Sequence, residues 1–188
     1  MSNEDAFRRI TSALDRAGIA YMLTGSFASV HYGAPRATQD IDIVVEAEPA
    51  VLKSFIESLG RDQFYADIDS ALEAQRRESM FNVIDRATGW KIDLIIRKSR
   101  AFSKEEFGRR CAVDLEGIRI FVASAEDIVI AKLEWAKQGK SQRQIDDVAT
   151  ILRLRRDALD HSYMDKWISA LELGEQWRAA RLAAGMSV

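Results

Sequence analysis

The sequence has little cysteine, little proline and no long hydrophobic run. Its one cysteine, Cys111, excludes an internal disulfide, and the first residues are charged where a signal peptide would be apolar, so we expect a cytoplasmic protein. No apolar stretch approaches the roughly 20 residues that a membrane-spanning helix requires, and we expect no membrane partner. With two prolines and ten glycines in 188 residues there is no Pro/Gly/Ser-rich linker and no repeat.

A strong excess of either charge is also absent. The chain has 27 Lys and Arg against 29 Asp and Glu, and its net charge of -2 argues against a protein that coats nucleic acid broadly. Its 47% of hydrophobic residues are ordinary for a globular chain, which excludes a disordered or membranous class. The length suits one good core with a helical extension.

The most informative stretch begins with a short apolar segment, residues 21–24, which predicts a buried strand. Gly25 and Ser26 then predict a tight turn, because glycine tolerates unusual backbone angles and serine can cap the helix expected over residues 27–32. Such a turn offers backbone N–H groups and a hydroxyl to phosphate oxygens. We therefore treat Gly25 and Ser26 as candidate nucleotide-binding residues.

The next segment alternates carboxylates with β-branched residues. In a strand the side-chain period is two, so Asp40 and Asp42 lie on one face while Ile41, Ile43 and Val45 point into a core. Two like charges held so close repel each other, and the pair therefore calls for a bound cation. A hard divalent ion such as Mg²⁺, or Mn²⁺ in its place, suits the carboxylate oxygens.

The remaining pattern alternates strands and helices and then becomes helical. A hairpin is expected over residues 80–96 and another over 113–122, which together with the earlier strands predict an α/β fold with a mixed β-sheet and helices packed on it. From residue 123 the apolar residues recur with a helical period. We expect residues 1–122 to form the core and residues 123–188 a C-terminal helical extension, as one compact unit.

The Gly25-Ser26 turn followed by Asp40-Ile41-Asp42 resembles the signature of the DNA polymerase β-like nucleotidyltransferase superfamily. The resemblance implies a metal-dependent enzyme that moves a nucleoside monophosphate from a triphosphate such as ATP to a hydroxyl acceptor, with two Mg²⁺ ions held by carboxylates. The acceptors of this superfamily include RNA ends, proteins and small molecules. The alternative is a non-catalytic nucleotide-binding or antitoxin-like module that keeps the fold.

By the same resemblance a third carboxylate comes from a later strand. Asp93, between two apolar residues in the second arm of the first hairpin, is the favoured residue, and Asp85 at the turn end of the first arm is its rival. A second Asp-Ile-Asp, Asp67 to Asp69, lies just before a helix and is expected to cap it. Asp40, Asp42 and Asp93 are thus the predicted metal ligands and catalytic acids.

The C-terminal third resembles the corresponding motif of AbiEii-type minimal nucleotidyltransferases, some of which are toxins of toxin–antitoxin and phage-defence systems. That likeness implies an antitoxin partner or a second copy of the chain, and it makes Lys132 a candidate for contact with phosphate or the acceptor. The positions in question are Glu126, Asp127, Lys132, Asp146 and Asp147. Acids at helix starts and a lysine within a helix are also ordinary solvated positions, so both interpretations stay open.

Further basic residues are candidates for contact with phosphate. Arg36, four residues before Asp40, is either a phosphate clamp or the partner of a nearby acid in the loop. Residues 97–110 carry six basic residues against two acids, and residues 132–156 carry seven against three. These two segments either attract a polyanionic acceptor such as an RNA end or are solvated helix faces.

Overall fold

A computed structural model describes residues 3–33, 40–115 and 117–186. They divide into two compact units, the first within residues 3–27 and 40–123 and the second within residues 28–33 and 124–186. In chain order the elements are α1 (Asn3–Arg16), β1 (Ala20–Thr24), α2 (Gly25–His31), β2 (Asp40–Glu46), α3 (Pro49–Ser58), β3 (Phe64–Ala66), α4 (Ile68–Arg77), β4 (Met80–Asp85), β5 (Lys91–Ile96), α5 (Ala101–Gly108), β6 (Cys111–Leu115), β7 (Ile118–Val122), α6 (Ala125–Gly139), α7 (Gln142–Arg155), α8 (His161–Ala170) and α9 (Gly174–Ala183).

The first unit is built on one mixed sheet, whose seven described strands have the order β3-β4-β5-β2-β1-β7-β6. Strand β2 runs parallel to β5 and antiparallel to β1, and β1 runs parallel to β7. The outer pairs β3–β4, β4–β5 and β6–β7 are antiparallel. The mixed α/β fold is therefore confirmed. Strand β3 was not predicted, because three residues are too few to display a strand period.

The two faces of the central strands differ in the way that the alternation predicts. Ile41, Ile43 and Val45 of β2 are fully buried, as are Ile92 and Leu94 of β5, and they form the core of the first unit. The polar residues between them lie on the opposite face. Burial of the apolar row stabilises the sheet by about 1.5–3 kcal/mol per large side chain, and so holds the intervening polar residues rigidly.

The second unit consists of α6 to α9 with the end of α2. Helix α6 packs on α7 and α8, and α7 packs on α9. Ser124 caps α6 by accepting a hydrogen bond from the Asp127 N–H. None of the described helices is both long and apolar enough to span a membrane. Among the fully buried side chains of this unit are Val129, Ile130, Leu133, Val148, Ile151, Leu152, Met164 and Leu173.

Candidate active site

Three of the predicted acids lie side by side at the centre of the sheet. Parallel pairing of β2 with β5 places Asp42 opposite Asp93 and Asp40 opposite Lys91. Neighbouring strands are about 4.8 Å apart, and paired residues point to the same face. Asp40, Asp42 and Asp93 therefore share one face of the sheet, although Asp93 comes from a distant part of the chain.

Lys91 bridges two of these acids. Its Nζ lies 3.3 Å from Asp40 Oδ1 and 3.1 Å from Asp93 Oδ2. The hydrogen bond to Asp93 and the charges of both acids raise the pKa of Lys91 above its usual value, so the ammonium is charged at neutral pH. The side chain of Lys91 is 42% exposed, whereas that of Asp93 is only 8% exposed.

Two further polar residues, which were not predicted as site residues, complete the central row. Asn82 of β4 lies opposite Asp93, and its Nδ2 donates a hydrogen bond to Asp93 Oδ1. Thr24 of β1 lies opposite Asp42. Asn82 could have been identified from the predicted hairpin. The turn of a hairpin sets which residues of its two arms lie opposite each other, and Asn82 is the one amide in an otherwise apolar first arm.

The Asp42 carboxylate packs against the backbone of Gly25. The φ of Gly25 is +65°, and a Cβ at this position would lie 2.0 Å from Asp42 Oδ2, closer than any real contact. Only glycine leaves room for this carboxylate beside the turn. Ser26 follows at the first turn of α2 and is 8% exposed. The turn that was predicted to approach phosphate thus also adjoins one of the acids.

Asp67, the expected helix cap, and Asp85, the rival of Asp93, both have structural partners. Asp67 caps α4 by accepting a hydrogen bond from the Ser70 N–H, which confirms the expected cap. Asp85 is fully buried and accepts bonds from Arg9 Nη2, 2.8 Å from each of its oxygens, and from the Thr88 N–H. Because side chains alternate along β4, Asp85 points to the face opposite that of Asn82. Of the two candidates for the third carboxylate, Asp93 and not Asp85 lies beside Asp42, because of the register of β2 on β5.

The remaining predicted nucleotide-binding residues are Arg36 and Lys132. Arg36 lies outside the described residues. Lys132 belongs to the second unit, where its Nζ lies 2.7 Å from Asp147 Oδ2 and 3.3 Å from Gln144 Oε1. The side chain of Lys132 is 5% exposed, so its charge is balanced inside that unit.

The other acids of the C-terminal motif also have partners in the second unit. Glu126 Oε1 accepts a hydrogen bond from the Asp160 N–H, and Asp127 Oδ1 accepts one from the Tyr163 hydroxyl. Asp146 is exposed and accepts a bond from the Gln142 amide. The pair at the start of α6 therefore fastens that helix to the start of α8.

The acids of the sheet offer a hard divalent ion the oxygen ligands that it prefers. Within residues 3–33, 40–115 and 117–186, however, no three His, Cys, Asp or Glu side chains form a ready metal site. The carboxylates Asp40 and Asp93 are arranged around the Lys91 ammonium instead. The carboxylate oxygens of Asp40, Asp42 and Asp93 are nevertheless ligands of the chemical type that Mg²⁺ and Mn²⁺ prefer, and the strand register places them on one face of the sheet.

An apolar shelf, formed by Tyr65, Met80 and Ile84, adjoins the acids on the same face of the sheet. Ile84 lies opposite Tyr65 on one side and Lys91 on the other, and Met80 shares its face because the period of β4 is two. These three side chains are 38–53% exposed. A group of exposed apolar residues beside polar ones is typical of an interaction surface.

Comparisons with known proteins agree with this fold. The family DUF6036, described as nucleotidyltransferases of unknown function, matches residues 4–186. No curated protein matches the chain. The structure of ANT(2'')-Ia in complex with adenylyl-2''-tobramycin aligns with 92% of this chain and 97% of its own, at a TM-score of 0.57 and 14% identity. An antigenic nucleotidyltransferase-like protein from Paracoccidioides brasiliensis aligns with 92% and 88%, at a TM-score of 0.54 and 15% identity. Identities this low show a shared fold alone.

Proposed function

The chain belongs to the DUF6036 family of nucleotidyltransferases, and from this premise we propose that it transfers a nucleoside monophosphate from a nucleoside triphosphate to a hydroxyl acceptor with Mg²⁺ or Mn²⁺. The observation that carries the proposal is the register that sets Asp42 opposite Asp93, with Asp40 one position along the same face. The AbiEii type, an antitoxin partner and the binding of ATP stay predictions that rest on the sequence resemblance.

In this proposal Asp40, Asp42 and Asp93 hold the divalent ion, which supplies charge neutralisation for the triphosphate and activation of the attacking oxygen. Ser26 and the backbone of the Gly25 turn bind phosphate oxygens. Asp93, which the hydrogen bond from Asn82 holds in place, accepts the proton of the acceptor hydroxyl. The acceptor oxygen bonds to the α-phosphorus, the bond from that phosphorus to the bridging oxygen breaks, and pyrophosphate leaves.

The surroundings of the acids support an acceptor with an apolar part. The shelf of Tyr65, Met80 and Ile84 borders Lys91 and Asn82, and the Arg86 guanidinium lies 5.8 Å from the centre of the Tyr65 ring. The shelf itself carries no acid. We propose that the apolar body of the acceptor rests there while its hydroxyl reaches the carboxylates.

The proposal is tested with triphosphates that carry a label on either the α- or the γ-phosphate, incubated with the protein, Mg²⁺ and a whole-cell extract. Nucleotidyl transfer moves the α-label to the acceptor and releases the γ-label as pyrophosphate. Asp42→Asn should abolish both. Asp69→Asn, the same change in the other Asp-Ile-Asp, should leave both unchanged, because Asp69 is exposed in the first turn of α4. The labelled product identifies the acceptor.

Each outcome has a distinct meaning. Triphosphate binding without release of pyrophosphate would favour the non-catalytic nucleotide-binding module. Transfer of the γ-label in place of the α-label would indicate a kinase. Activity retained by Asp42→Asn would contradict the assignment of the acids.

A further inference from the structure

Lys91 is a basic residue that lies among the acids of the sheet. It stands opposite Asp40 on the neighbouring strand, and its ammonium contacts both Asp40 and Asp93. Asp93 receives a second bond from Asn82 on its other oxygen. The amine therefore lies on the side of Asp93 that faces β2, between the carboxylates that are expected to hold a metal.

The physical reason for such a lysine is the repulsion among the acids. Three carboxylates on adjacent positions of one sheet face destabilise one another unless a cation offsets their charge. The Lys91 ammonium lies within ion-pair distance of two of them, Asp40 and Asp93, and offsets part of their charge. A lysine has a flexible stem of four carbons, and that of Lys91 is 42% exposed, so the ammonium can swing out into solvent without moving the strand.

We propose that Lys91 is a resident counter-cation, which holds the carboxylates together before metal binds and gives up its place to the divalent ion. This inference rests on the proposed function, since it takes Asp40, Asp42 and Asp93 as metal ligands. Lys91 is a positioning residue in this role. Its displacement lowers the affinity for metal alone, because the ion must break both ion pairs before it can bind.

The same displacement couples metal binding to nucleotide binding. Once released, the ammonium can contact the oxygens of a bound triphosphate, which repays the cost of the broken ion pairs. Metal should therefore bind more tightly when a triphosphate is present, and by linkage the triphosphate should bind more tightly when metal is present. Such a protein binds metal only weakly until its substrate is present.

The test is a calorimetric titration of the full-length protein with Mn²⁺ in the absence of nucleotide. Lys91→Met should bind Mn²⁺ at least about tenfold more tightly than the wild type, because it removes a positive charge next to the ion. Lys98→Met is the matched control, since it makes the same substitution at an exposed position just after β5. Lys91→Arg, which keeps the charge, should bind Mn²⁺ as the wild type does.

A second readout measures the apo state. In EDTA, Lys91→Met should melt at a lower temperature than Lys98→Met, and Mn²⁺ should restore its melting temperature. A damaged fold can only weaken metal binding, so tighter binding by Lys91→Met cannot result from misfolding.

The result that overturns the inference is an equal or lower Mn²⁺ affinity in Lys91→Met while Asp42→Asn still binds more weakly than the wild type. In that case the acids hold metal and Lys91 has only a structural role. If neither the wild type nor Lys91→Met binds Mn²⁺, the metal site itself is wrong, and the proposed function fails together with the inference.

Discussion

Two glycines in the first unit have the same left-handed backbone angle but different surroundings. Gly18 and Gly25 both have a φ of +65°. A Cβ at Gly18 would meet nothing within 4 Å, whereas a Cβ at Gly25 would overlap the Asp42 carboxylate. Substitution of Gly18 therefore measures the backbone penalty alone, and substitution of Gly25 adds the displacement of an acid.

We expect Gly18→Ala to lower the free energy of unfolding by about 1–2 kcal/mol, the usual cost of a side chain in the left-handed region. Gly25→Ala should lower it further and should also weaken Mn²⁺ binding, because Asp42 has to move. Urea denaturation and the Mn²⁺ titration measure the two effects. Gly25→Ala with the metal affinity of the wild type would show that the turn does not position Asp42.

At the scale of elements, the first turn of α6 holds the start of α8. Asp127 is fully buried and accepts hydrogen bonds from Ser124 Oγ at 2.6 Å and from the Tyr163 hydroxyl at 2.5 Å. Glu126 accepts a bond from the backbone of Asp160, the residue that caps α8. These contacts give the two acids a structural role inside the second unit.

Tyr163→Phe removes one donor from the buried Asp127 carboxylate. We expect a loss of about 1–3 kcal/mol in the free energy of unfolding, because the buried carboxylate loses one of its hydrogen bonds. Tyr65→Phe serves as the control, because this tyrosine is 53% exposed and the change should stay within about 0.5 kcal/mol. Urea denaturation compares the two variants. A Tyr163→Phe protein as stable as the control would mean that Asp127 does not depend on this bond.

At the scale of the whole molecule, the basic residues of segment 97–110 are largely engaged with the protein itself. Arg97 forms an ion pair with Glu46, and Arg100 Nε donates to Ser103 Oγ. The Arg110 guanidinium lies 4.3 Å from the centre of the Phe107 ring and donates to the Phe107 carbonyl. Three of the six basic side chains are therefore held against the protein, while Lys98 and Lys104 are exposed.

We accordingly expect weak binding of total tRNA, with a shallow dependence on salt. Each phosphate contact that a Lys or Arg neutralises adds about 0.7–0.9 to the log–log slope, so we expect a slope below about 2. The measurement compares the wild type with Lys98→Glu/Lys104→Glu, two exposed positions whose replacement disturbs no packing. A steep slope that the double variant removes would instead support an RNA end as the acceptor.

The features that the sequence determined are those that depend on neighbouring residues. Alternation along Asp40-Ile41-Asp42 placed both acids on one face, as the structure confirms. Asp67 could be identified as a helix cap, because a cap is a bond to a backbone group three residues away. Strand alternation and helix capping both act between residues a few positions apart, so the local sequence is sufficient to predict them.

The features that only the tertiary structure decided join segments that are far apart in the chain. The register of β2 on β5 set Asp42 beside Asp93 and brought Lys91 to Asp40, and a slip of one residue would have turned these side chains to the other face. The buried pair of Arg9 with Asp85 and the fit of Gly25 against Asp42 likewise depend on packing. Parallel strands are joined by a long crossover, so no turn fixes their register, and it follows from how the whole buried face packs.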